Sequence, residues 1–161
     1  MALAKLRSQV VAIAVLLCVG AAMGADKDNW LVLQRVGTVQ PELLSVVREL
    51  PDQRARERFP VLIEVKWGYK GLPNGMPTEA ELVLGKRLED GLDKVFGAQG
   101  MHVITRTGDA ARSMLYYVEN AERHAPALKV LFDSLPPLSV EIRARDEPDW
   151  ETVKEVREAI K

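Results

Sequence analysis

His102 and His124 are the only imidazoles in this chain of 161 residues, and acid–base or metal chemistry near neutral pH would start with them. No His-x-His or His-x-x-x-His spacing joins them, so their placement builds no metal site. A Ser-His-Asp relay needs Ser45, Ser113, Ser134 or Ser139 beside a histidine. None of these serines sits in the Gly-x-Ser-x-Gly turn that presents a nucleophile. Carboxylates are grouped at Glu79/Glu81, Glu89/Asp90 and Asp146/Glu147/Asp149. The first and last groups precede helical runs, where capping and the helix dipole account for acids. Gly71, Pro73 and Gly75 suggest a phosphate cradle, yet no GxxxxGK accompanies them. The helix start that follows carries Glu79 and Glu81, which repel an anion. No catalytic residue, cofactor or metal ligand is assigned.

One set of side chains could bind. Val61, Ile63, Val65 and Trp67 alternate with Glu64 and Lys66, as on a strand with one apolar face. Glu141 and Arg143 alternate in the same way with Leu138, Val140 and Ile142. A register that buries Val103 and Leu115 adds Arg106, Arg112 and Tyr116. The expected surface is therefore Glu64, Lys66, Arg106, Arg112, Tyr116, Glu141 and Arg143, of mixed charge with an aromatic near its middle. Tyr and Arg make frequent binding hot spots because they bring much contact area and forked hydrogen bonding. The reading that follows is a non-catalytic domain holding a protein or peptide on its sheet face or edge. A solvated or covered sheet face is the plain alternative. A hydrolase using Glu64, Glu141 and Asp109, or a structural accessory of an envelope complex, are the other functional classes.

The elements that position these residues can be placed by periodicity. Trp30–Val36 reads as a strand. Leu43–Glu49 fits a strand or a helix, and the strand reading makes an N-terminal hairpin. Pro51–Arg58 reads as a charged connector. After the strand opened by Phe59-Pro60, Thr78-Glu79-Ala80-Glu81 has capping-box spacing, and Leu84, Leu88, Leu92 and Val95 share one helical face. Met101–Thr107 and Arg112–Val118 read as a hairpin turning at Gly108–Ala111, with Gly108 free to take positive φ. A helix over Asn120–Leu135, a strand from Leu138 and a closing helix striped by Trp150, Val153, Val156 and Ile160 complete the chain. From Val61 the order β-α-β-β-α-β predicts an α+β fold of ferredoxin-like type, an antiparallel sheet with helices on one face. An N-terminal hairpin and a C-terminal helix are added to it.

The first residues read differently. Lys5 and Arg7 precede an apolar run from Val10 to Ala22, too short for a comfortable membrane span. Small residues at Ala22–Ala25 offer a cleavage point near Gly24 or Ala25. Residues 1–25 are thus expected to be a cleaved signal peptide, 26–58 a hairpin and connector, and 59–161 the main domain. Leu17 before Cys18 argues against lipoprotein processing. Cys18, the one cysteine, leaves with the leader, so the mature chain would hold no disulfide or thiolate ligand. Cleavage leaves 20 bases against 23 acids, a net charge of −3, which disfavours general nucleic-acid binding. A periplasmic or secreted protein without membrane attachment is expected. At 47% hydrophobic and 28% charged, the chain is composed like a folded domain.

Several pieces in order resemble the bacterial family catalogued as domain of unknown function 695. They are Phe59-Pro60, Gly75-Met76-Pro77-Thr78-Glu79, Glu89-Asp90, Thr105-Arg106-Thr107-Gly108 with Arg112 and Tyr116-Tyr117, and Glu147-Pro148-Asp149-Trp150. That family is similar in turn to the RNase E inhibitor family, whose members are ferredoxin-like and regulate by binding. The resemblance implies the fold and brings no active site. The leader departs from such cytoplasmic regulators, so ribonuclease inhibition is not carried over.

Overall fold

The computed structural model describes residues 29–35 and 40–160. The expected signal peptide lies outside the described residues, as do Val36 and Gly37. Six strands and four α-helices are described: β1 Trp30–Arg35, β2 Glu42–Val47, α1 Gln53–Arg58, β3 Val61–Gly68, α2 Glu79–Phe96, β4 Gly100–Gly108, β5 Ala111–Val118, α3 Ala125–Asp133, β6 Ser139–Asp146 and α4 Glu151–Ala159. The strands form one antiparallel sheet in the order β1-β2-β4-β5-β3-β6. No described helix is long and apolar enough to cross a membrane.

Local chemistry explains the elements. Thr78 accepts from the Glu81 amide while Glu81 accepts from the Thr78 amide at 2.8 Å, the reciprocal capping box that starts α2. Glu81 also takes the Lys70 and Gly71 amides, so the loop before α2 is fastened to its first turn. These amide bonds, led by Thr78, hold the Glu81 carboxyl below its ordinary range. Inward, α2 presents Gly85, Leu88, Leu92 and Phe96. Gly85 has no room for a side chain, because a Cβ there would stand 2.9 Å from the Trp67 ring. Pro126 lies at the first positions of α3, where its missing N–H costs nothing.

At the β4–β5 turn Gly108 takes the positive φ expected of it, 153°, and two non-glycine residues follow it there. The left-handed residues are Asp109 at φ 52° and Ala110 at φ 53°, the two central positions of a tight hairpin. The segment expected as a connector contains α1, whose start is capped by Asp52 accepting from the Ala55 amide at 2.8 Å. Six residues are too few for an apolar period to show, which is why pattern alone missed it.

The two crossover helices lie on one face as expected, and the closing helix, whose side was left open, takes the other. α2 and α3 cover one face, packing on Ile63, Val65, Trp67, Met114, Tyr116 and Val118. α4 covers part of the other, where Trp150 and Val153 join Val46, Leu62, Val103, Ile104, Leu115 and Tyr117. β5 is consequently buried at five successive positions, Met114 to Val118. Trp150 is fully buried, stacks on Tyr117 with centroids 3.9 Å apart and donates its indole N–H to the Phe59 carbonyl at 2.9 Å.

Candidate functional site

The α4 face is only half covered. Beyond Leu62 and Tyr117 two cross-strand rows lead out from under α4. One runs Arg143–Glu64–Leu115–Ile104. The next runs Glu141–Lys66–Ser113–Arg106. At the β4–β5 turn this open half forms a hollow of about 620 Å³, whose lining includes Glu42, Glu64, Lys66, Arg106, Asp109 and Ser113. Five of the seven sequence-expected residues, Glu64, Lys66, Arg106, Glu141 and Arg143, do share this face.

Lys66 and Arg106 flank Ser113 from the neighbouring strands, so their Cα atoms stand roughly 9–10 Å apart, two strand spacings. Both are exposed, and neither forms a salt bridge with another described residue. Arg143 is engaged instead by Glu141 at 2.7 Å, and that bond raises its already high pKa. Of the three carboxylates considered for hydrolysis, Glu64 and Asp109 line the hollow. Glu141 stands on β6 outside it. No three His, Cys, Asp or Glu side chains among the described residues group closely enough to hold a metal.

Arg112 and Tyr116 are elsewhere. Both point to the α2 face, where Arg112 pairs with Glu89 and Tyr116 is 1% exposed, donating its hydroxyl to Asp93 at 2.8 Å. Val103 and Leu115 are buried as expected, but against α4. Burial therefore did not say which face they occupied, and Tyr116, next to Leu115 on β5, fell on the opposite one. Burial, then Asp93, push the Tyr116 phenol far up, so it stays protonated.

Around Tyr116 lies a cluster that sequence reasoning missed. A register shift between His102 and Ile104 breaks the strict alternation of β4 and brings His102 and Thr105 to one face. His102 Nδ1 stands 3.4 Å from Asp93, its Nε2 stands 2.9 Å from the Thr105 hydroxyl, and its ring stacks on Tyr116. Trp30 meets the ring edge-on. Carboxylate, imidazole and hydroxyl in series is the arrangement by which hydrolases activate an alcohol. Here Thr105 is buried and lines neither described hollow, so the chain fastens α2 and β1 onto β4. Burial alone would raise the Asp93 carboxyl; His102, Tyr116 and Lys86 outweigh it and hold it low. The sequence signal was the polar pair Glu89 and Asp93, one turn apart beside the apolar stripe of α2.

His124 is buried against Phe96, and desolvation lowers its pKa and keeps it neutral. A second hollow of about 750 Å³ lies between α2 and α3, where Leu131 crosses Gly91 and Val130 is exposed. Comparisons with protein-family models, with curated proteins and with solved structures found no match to this chain.

Proposed function

We propose that this chain is an exported, non-catalytic domain that holds an extended polypeptide segment of mixed charge on the open half of its sheet. The observation that carries the reading is a pair of cations without a salt bridge among the described residues, Lys66 and Arg106, set across Ser113 in a hollow that also presents Glu64 and Asp109. Acidic side chains of a bound segment meet the two cations, and a basic one meets the carboxylates. Such complementarity selects partners and speeds encounter more than it adds raw affinity.

The order β6-β3-β5-β4, with α2 and α3 as crossovers, supports a ferredoxin-like unit lengthened at the β4 edge by β2 and β1. The likeness to domain of unknown function 695 rests on the residues quoted above. In this reading residues 1–25 direct export and are removed, leaving an acidic chain without a membrane anchor that suits protein rather than nucleic acid. The mature protein is then found in the periplasm or medium, beginning at Ala25 or Asp26.

A library of displayed random peptides tests the binding. Sequences combining acids and bases are expected to be enriched on the wild type and to lose about tenfold or more in affinity on Lys66→Glu/Arg106→Glu. Equal enrichment on both proteins, or none on either, removes the reading.

A further inference from the structure

We propose that a second copy of this chain docks on β6, edge to edge and antiparallel, about a two-fold axis passing through Ile142. β6 ends the sheet, pairing only with β3 among the described residues. Its residues are exposed except for the half-buried Val140, and Ile142 is 42% exposed. A strand edge with a bare isoleucine is a template for another strand.

The sequence of β6 decides which strand. A two-fold axis perpendicular to a sheet keeps each face on its own side, so opposed residues must be equally spaced about the axis. Centred on Glu141, the register sets like carboxylates against each other. Centred on Arg143, it opposes two guanidinium groups and asks Glu141 to meet Arg145, which Glu147 and Thr152 already hold. Centred on Ile142, it sets Glu141 against Arg143 of the second copy, twice. Ile142 then meets Ile142, and Val140 meets Ala144. Opposite charges placed directly across a strand pair attract, and like charges repel. Only this third register of the central three is self-complementary.

Glu141 and Arg143 are already bonded to each other along the strand at 2.7 Å. In the dimer the four groups close a ring on the α4 face, while the two isoleucines meet on the α2 face. The surface is separate from the peptide hollow, whose lining includes neither residue.

Sedimentation equilibrium of the wild type, Arg143→Glu and Glu141→Arg/Arg143→Glu tests the register. The wild type is expected to self-associate reversibly and less strongly at high salt, because the ion pairs are exposed. Arg143→Glu turns two attractions into two repulsions and should raise the dissociation constant about tenfold or more. The double exchange restores opposite charges and should recover association. Arg143 is exposed, so circular dichroism should show both variants folded. A wild type that stays monomeric, an Arg143→Glu variant that still dimerises, or a double exchange that fails to rescue each overturns the proposal.

Discussion

Glu147 accepts four hydrogen bonds in a nearly buried position: from the Tyr117 hydroxyl at 2.5 Å, the Thr152 amide at 2.7 Å, Arg145 at 2.9 Å and the Thr152 hydroxyl at 3.0 Å. Burial by itself would raise its pKa. The donors outweigh burial, with Tyr117 foremost, and hold it below the ordinary carboxylate range. A carboxyl whose pKa is lowered by folding stabilises the fold above its unfolded value, near 4.3, and loses that contribution as pH falls through the folded value. Glu147→Gln is expected to cost about 1–3 kcal/mol at neutral pH, and to show a shallower loss between about pH 5 and pH 3 than the wild type. Urea denaturation across that range measures it; parallel curves would contradict the role. Ala110 offers the opposite sign. It holds a left-handed conformation that costs an L-residue about 1–2 kcal/mol, so Ala110→Gly should raise stability by about 1 kcal/mol in thermal unfolding.

Among elements, those with a clear period were legible. The α2 capping box, the β3 alternation and the stripe of α4 could be read from residue types, because one face of each meets water. β5 was found as a strand but its faces were confused, since a strand buried on both sides carries no alternation to orient it. β4 hid its His102–Thr105 relation behind a register shift that no pattern announces. α4 supplies the sharpest test at this scale. Ending the chain after Asp149 removes Trp150 and Val153 and bares Val46, Leu62, Val103, Leu115 and Tyr117. Loss of the Trp150 side chain alone should cost about 3–5 kcal/mol. The shortened protein is expected to bind hydrophobic dye and elute as aggregates in gel filtration. A stable, dye-free monomer would show that α4 is dispensable.

At the scale of the whole molecule, the sheet divides two apolar layers; the one under α2 and α3 was expected, and a covered far face was an alternative left open. Composition and element order were enough for an α+β sheet. They could not say that the last helix crosses to the far side, because that depends on the connection after β6, where the Glu147 amide bonds to the Pro60 carbonyl at 2.7 Å. The candidate surface suffered from the same missing fact: the five residues that fell together stand on the α4 face of the sheet, and Arg112 and Tyr116 on the α2 face. The division has an optical consequence. Each of the chain's three tryptophans occupies a different station: Trp150 under α4, Trp67 under α2, and Trp30 beside His102 on the outermost strand. Retaining one indole at a time would give three fluorescent reporters, Trp150 and Trp67 following the detachment of the helix over each face and Trp30 the release of the outermost strand.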